Sequence, residues 1–303
     1  MNEKTNDLKL PTDDGEEPAL LIDGRGVFDR GWHKSRNSEE LAHLDSSRAA
    51  ACAALMVLLP ILGSSFLDEA YRRALFAWDS GFHKTSKPRK PKPEGFLEDF
   101  EYFKKIVQTL VGGAHMTAPN HEADDVVATV AARGKRVCIV SGDKDLQQLV
   151  SRKVAFYCLN KKSLLSPQHV MERWDLRHPS HLAVRLAVVG DPQDGIGGVE
   201  KWGEKKWTPK IMATAPVQCD LGTLIEHVAS VIPVNQLDNF FSSLEATLLQ
   251  TDVPNVPDPA PLLSVPLDYL EDEGLMEVRR NYARYIGDLR GSEPADSGVD
   301  REY

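Results

Sequence analysis

Cysteine is scarce in this chain and is not placed for a disulfide framework or a zinc site. Among 303 residues there are four, Cys52, Cys138, Cys158 and Cys219, far apart and with no CxxC pair. Each has apolar or aromatic near neighbours, so all four read as buried reduced thiols in a reducing cytoplasm. Long hydrophobic runs are missing too. The longest uncharged apolar stretch, Ala49 to Leu62, is too short to span a bilayer and contains Pro60, so no membrane role is expected. The opening MNEKTNDLKLPTDDGEEP lacks the apolar segment of a secretory signal and reads as a disordered lead over 1–18. There is no internal repeat, which excludes solenoids and propellers. Nor is there an excess of basic charge: 36 Lys and Arg stand against 45 Asp and Glu, a net charge of −9.

That acidic total does not exclude a polyanionic substrate, because nine acids account for the whole excess. They are Asp23, Asp79, Glu122, Asp124, Asp125, Asp143, Asp145, Asp191 and Asp194. Nearly all fall where an apolar run ends or a helix begins. Like charges a few ångströms apart repel, and some would stay protonated without a counter-charge. Divalent ions bound through oxygen are the usual remedy, so clusters that met in space would form a nest for Mg²⁺ or Mn²⁺. Taken singly, each acid has a plainer role as a helix cap or turn residue. The bases are also clustered: Lys84 to Lys92 (KTSKPRKPK) holds five and no acid, and Lys201 to Lys210 holds four lysines against Glu204.

Apolar runs ending in acids predict strands at Ala19 to Asp23 and Ala74 to Asp79, with further strands at Arg136 to Ser141 and Val154 to Leu159. Helical spacing predicts Arg48 to Leu62, capped by Ser46 or Ser47. It also predicts Glu94 to Leu110 with a core stripe of phenylalanines, Glu122 to Ala132, and His181 to Val189. Strands alternating with helices argue for an α/β fold with a mostly parallel central sheet flanked by helices. In such sheets ligands collect at the carboxyl ends of the strands. From residue 190 the character changes. Gly190, Gly195, Gly197, Gly198 and Gly203 are interleaved with Lys201, Lys205 and Lys206, and a mostly helical part follows over Gly222 to Ile232 and Gln236 to Gln250. A last helix is expected over Asp268 to Leu289.

The ordered motifs LLIDG (20–24), AWD (77–79), HEADDVVATVA (121–131), VSGDKDLQQLV (140–150) and VVGDPQDGIGGVEKWGEKK (188–206) resemble the 5′-nuclease family. That group contains the 5′→3′ exonuclease domain of bacterial DNA polymerase I, bacteriophage 5′-exonucleases and flap endonucleases. Arg30 and His33, which stand where the family has a basic residue and a His, and LEATLLQTDVPNV (244–256) extend the likeness to residues 19–256. The resemblance implies a PIN-like fold divided into a nuclease core over 19–189, a helix–hairpin–helix DNA-binding region over 190–256 and a C-terminal extension of unknown role over 257–303. No polymerase module follows in this sequence, so a free-standing nuclease is expected.

By the same resemblance the activity is 5′→3′ exonuclease with flap endonuclease action on DNA, and on RNA in RNA–DNA hybrids. Asp23, Asp79, Glu122 and Asp124 would hold a first Mg²⁺ or Mn²⁺. Asp143, Asp145, Asp191 and Asp194 would surround a second, with Asp125 bridging or behind them. The hairpin residues Gly195, Gly197, Gly198, Gly203, Lys205 and Lys206 would grip duplex DNA, with a K⁺ site there. Arg30, Lys84, Lys87 and Arg89 would meet phosphates. Lys201 stands where the family usually has Gly, Pro209 would shorten the helix that follows, and Trp202 and Trp207 read as packing. A monomer is expected, in a bacterial cell or phage-infected host, with replication proteins as partners of the extension. Two rivals are a PIN-type single-strand RNase, whose acid set is sparser and lacks the hairpin, and a non-catalytic DNA-binding factor, which would have lost acids.

Overall fold

The computed structural model describes residues 18–62, 72–82 and 91–263, with 270, 275, 276 and 278. The lead over 1–17, the bases Lys84, Lys87 and Arg89, and most of the expected last helix lie outside the described residues. Among the described residues seven strands form one sheet, six of them in the order β3-β2-β1-β4-β5-β6. They are β1 (Ala19–Asp23), β2 (Arg73–Trp78), β3 (Ala114–Thr117), β4 (Val137–Ser141), β5 (Val154–Cys158) and β6 (Ser163–Leu165), with the two-residue β7 (Ala260–Pro261) antiparallel to β2. The first five are parallel and β6 turns back on β5.

Residues alternate sides along each strand, and the two cores follow that alternation. Leu20, Ile22, Phe76, Trp78 and Val140 enter one core, roofed by helices α1 (Gly24–Ser35), α2 (Ser46–Leu62) and α3 (Phe96–Leu110). Leu21, Leu75, Ala77, Val137 and Ile139 enter the other. That second core is covered by α4 (Ala123–Ala131), α5 (Pro167–Trp174), α6 (His181–Val189), α7 (Leu221–Val231) and α8 (Leu237–Thr247). It runs without a break from Leu21 to Val256, across residue 190. The extension joins the domain as well. β7 pairs with β2, Asp258 pairs with Arg133 at 2.7 Å, and Leu270, Leu275 and Val278 are buried in the first core.

Two local features depart from the sequence reading. The cap of α2 is Asp45, whose Oδ1 accepts from Arg48 N at 2.9 Å. Ser46 and Ser47 instead donate to the buried Asp99 on α3, each at 2.8 Å, and Trp32 Nε1 of α1 joins them at 3.0 Å. One buried carboxylate thereby ties three helices together, and it survives burial because three donors satisfy it. Helix α1 has little hydrophobic signal and three glycines, which hides it in the sequence. It forms because Asp23 caps it and because Val27, Phe28 and Trp32 bury one face. No helix among the described residues is long and apolar enough to cross a membrane.

Candidate active site

After β3 the chain crosses through α4 to β4 on the far side of β1. The strand order therefore reverses between β1 and β4, and ligands bind such sheets at the carboxyl ends beside that point. Asp23 is the last residue of β1, and Asp79 directly follows β2. Gly142-Asp143-Lys144-Asp145 follows β4, while Glu122 and Asp124 open α4. Six of the nine acids (Asp23, Asp79, Glu122, Asp124, Asp143 and Asp194) line one cleft of about 730 Å³, together with Asp29. Asp145 and Asp191 meet Asp194 at its side, each offering an oxygen within 4.8 Å of the others. Asp191 and Asp194 are delivered by a tight turn in which Asp191 and Ile196 exchange both backbone hydrogen bonds at 2.8 Å.

Asp125 is the exception. It is fully buried and does not line the cleft. Its Oδ2 accepts from Glu122 N at 3.3 Å and its Oδ1 from Gln250 N at 2.9 Å. It fixes the loop carrying Glu122 and staples the segment after α8 to α4, so it acts behind the acids and not among them.

The acids are crowded enough to change their proton affinity. Burial, with Asp79 and Asp143 nearby, pushes the Asp23 carboxyl up to about 7, against the pull of hydrogen bonds from Ser141 and Gly26. Burial and then Asp143 push Asp145 to about 7, with Lys144 opposing. Asp124 stands well above the ordinary carboxylate range, through burial first and then Asp143, Asp23, Asp79 and Asp145. Asp191 goes the other way: burial raises it, but contacts with Lys144, Asp194 and Gln193 N more than offset that.

Ser141 Oγ donates to Asp23 Oδ2 at 2.6 Å and accepts from Asp143 N at 2.9 Å, linking β1 to the loop after β4. Gly26 N donates to Asp23 Oδ1 at 2.7 Å. A Cβ at Gly26 would lie 2.3 Å from Asp23 Oδ2, so only glycine leaves that carboxylate in place.

These oxygens suit a hard divalent cation. The buried Asp145 Oδ1 has no hydrogen-bond partner, as expected of an oxygen available to an ion. Among the described residues, Asp145, Asp191 and Asp194 are the group whose oxygens come close enough together to hold one ion.

The cleft also holds bases. Arg25, Arg30, His33, Lys161 and Arg173 share the cleft with the acids. Arg30 Nη1 donates to Asn160 Oδ1 at 2.8 Å, and Asn160 Nδ2 donates to Gly142 O at 3.0 Å. Asn160 thus holds a cleft arginine in register with the loop carrying Asp143 and Asp145. Arg30 and His33 were anticipated; Ser141, Lys144, Asn160, Lys161 and Arg173 were not. The rule that flagged Asp23, applied to the carboxyl end of β5, would have reached Asn160, two residues past Cys158.

The Gly-rich segment after α6 makes a compact hairpin, then a helical turn (Glu204–Lys206) and a π-helix (Trp207–Met212) around Pro209. Gly197, Gly203 and Lys205 are exposed, and Gly195 and Lys206 are half-buried. Gly198 is buried, and its N–H is taken by Ser243 Oγ at 3.3 Å. A Cβ there would lie 2.5 Å from Gly190 N. Gly198 therefore serves a close backbone crossing. Trp202 and Trp207 are buried packing residues, and Lys201 takes a left-handed φ of 65°.

A parallel sheet with carboxylates gathered at its switch point defines a PIN-like nuclease fold. The chain belongs to the 5′-3′ exonuclease family: the model of that family's N-terminal resolvase-like domain matches residues 18–175. The thermostable DNA polymerase I of Thermus thermophilus is 28% identical over 265 residues, covering 81% of this chain and 30% of the polymerase. DNA polymerase I of Lactococcus lactis is 25% identical over 283 residues, covering 87% and 31%. The chain thus spans about a third of these relatives. Among solved structures, T5 5′-exonuclease with bound divalent zinc ions has a TM-score of 0.54 at 17% identity, covering 91% of this chain and 100% of that one. The catalytic core of Rad2 in complex with DNA substrate has a TM-score of 0.51 at 12% identity, covering 90% and 91%. At those identities the likeness is one of fold.

Proposed function

We propose that this chain is a divalent-metal-dependent 5′→3′ exonuclease and flap endonuclease. Its substrates would be DNA, and RNA within RNA–DNA hybrids, and two Mg²⁺ or Mn²⁺ ions would serve one cleft. The observation that carries the reading is the meeting of six carboxylates from β1, β2, α4, the loop after β4 and the hairpin in that one cleft. Family membership and the solved fold relatives with bound metal ions or DNA support it. When bound, two such ions activate water and stabilise the attacking and leaving oxygens of a phosphodiester.

The chain's own residues do the rest. The six acids of the cleft, with Asp145 and Asp191 at its side, hold the charge, Ser141 orients Asp23 and Asp143, and Asp125 holds Glu122 in place. Arg30, steadied by Asn160, takes a substrate phosphate, helped by Lys161 and Arg173. Exposed Gly197, Gly203 and Lys205, with Gly195 and Lys206, receive duplex backbone, a contact that positions without reading sequence. A K⁺ ion on the hairpin carbonyls would complete that grip. Lys84, Lys87 and Arg89 would add steering that weakens with salt.

The test is cleavage of 5′-labelled flap, nicked, single-stranded and hybrid substrates with Mg²⁺ or EDTA, for wild type and for Asp143→Ala. Expected are metal-dependent release from 5′ ends and flaps, and a variant that binds DNA without cutting it. Full turnover by Asp143→Ala in Mg²⁺ would refute the assignment. Cleavage of RNA alone would favour a single-strand RNase.

A further inference from the structure

Lys144 stands between two cleft acids in GDKD, and its side chain turns back into their company. Its Nζ lies 2.5 Å from Asp191 Oδ2, 2.9 Å from Asp194 Oδ2 and 3.9 Å from Asp145 Oδ1. Those same three residues offer the oxygens that lie within 4.8 Å of one another. The lysine's own cation therefore sits among the donors of the candidate second ion.

We propose that Lys144 is an internal counter-ion competing with the second divalent cation for Asp145, Asp191 and Asp194, so that ion entry releases the ammonium into the cleft to meet substrate phosphate. The inference rests on the two-ion reading. Three carboxylates at this spacing need positive charge, and the ammonium supplies one unit of it. An ion bound to the same oxygens supplies two, and it cannot share their centre with an Nζ already at hydrogen-bond distance from two of them. Lys144 is 77% buried at its side chain and lines the cleft with Lys161, Arg173 and Gln193. The direction open to a displaced ammonium is thus the direction of substrate. Its four-carbon stem allows the move. A phosphate there gives the freed charge a new partner, so substrate and second ion would favour one another reciprocally.

Two measurements on the full chain test this. The first is Mn²⁺ binding by electron paramagnetic resonance for wild type, Lys144→Met and Lys144→Arg. Wild type should bind two ions with unequal affinity. Lys144→Met should tighten the weaker one by about tenfold, within the usual range of coupling, while Lys144→Arg keeps the wild-type value. The second is acylation of wild-type amines, mapped by mass spectrometry. Lys144 should become reactive over the Mn²⁺ range that fills the weaker site, and a phosphorothioate oligonucleotide should then protect it. A single ion at saturation would overturn the two-ion reading and this inference with it. Two ions with unchanged affinity in Lys144→Met, or Lys144 labelling indifferent to Mn²⁺, would overturn the inference alone. If Lys144→Met does not fold, the labelling of wild type decides.

Discussion

Replacing Asp23 by Asn should change stability by an amount that depends on pH, and the structure gives both sign and size. Asp23 is 6% exposed, and its carboxyl is raised from 3.8 to about 7. Because the folded value lies above the unfolded one, its contribution is fully present below about pH 4 and is lost as pH rises through about 7. Integrating the linkage for one such group gives a loss of about 1.4 kcal/mol between pH 6 and pH 8, and about 4 kcal/mol from pH 4 to pH 8. Asn is nearly the same shape. Its oxygen can accept from Gly26 N and its amide can donate to Ser141 Oγ, so the variant keeps the cap while losing the titration.

In EDTA, the stability of Asp23→Asn relative to wild type should therefore improve by at least about 1.4 kcal/mol between pH 6 and pH 8. The figure is a floor, because Asp23 also raises Asp124. His115 and His181, both lowered chiefly by burial, add an opposing slope below about pH 6.5, but they are common to both proteins and cancel in the difference. The assay is urea unfolding followed by tryptophan fluorescence at several pH values. Mn²⁺ at pH 8 should reverse the order. A ligand at a hundred times its Kd adds about 2.7 kcal/mol to the wild type, and less to a variant that has lost a donor. A pH-independent difference, or equal gains from Mn²⁺, would refute the account of Asp23 as a charge held at a cost until a cation arrives.

Two further expectations follow from contacts on the cleft wall and the hairpin. Asn160→Ala frees Arg30 from its tether, so DNA binding should weaken by about tenfold with a smaller change in kcat; unchanged Kd in a titration at fixed salt would refute the tether. Lys201→Gly relieves a left-handed residue costing about 1–2 kcal/mol, partly offset by glycine's freedom in the unfolded chain, so melting should rise by about 1–3 °C; a fall would show that Lys201 earns its conformation elsewhere.

Much of the molecule was legible because the strongest signals are those of strands and of long amphipathic helices. β1, β2, β4 and β5 are short apolar runs bounded by acids or turns, and α3 carries its phenylalanine stripe in full. The elements that escaped had their signal overridden. α1 has three glycines. β3 is four half-buried residues behind Gly112 and Gly113, a pair that reads as a helix stop. α5 hides its cap in Ser166-Pro167, although Ser166 Oγ receives His169 N at 3.2 Å. In the site, acids at strand ends were visible because charge at the end of an apolar run is conspicuous. Ser141 and Asn160 were not, because a neutral hydrogen-bonding side chain in a turn looks like any other. Gly198 is ambiguous in the sequence for a different reason. Glycine marks close approach, and the sequence does not say whether a phosphate or another stretch of backbone makes that approach.

Treating each acid as either a helix cap or a ligand proves to be a false choice. Asp23 caps α1 through Gly26 N and also lines the cleft, and the positive end of α1 helps to hold its charge there. Asp125 directly follows Asp124, yet both its oxygens accept from backbone N–H groups and it does not line the cleft. Position in the sequence is nearly the same for the two; burial and partners differ. The cap is what makes Asp23 possible as a ligand, because a carboxylate at the end of a buried strand needs donors before any cation arrives. Ser141, Gly26 and the N-terminus of α1 supply them to Asp23, and Lys144 supplies a full charge to Asp145, Asp191 and Asp194. A chain that folds before it loads metal has to carry such substitutes within its own sequence, and in GDKD the substitute lies directly before one of the acids it serves.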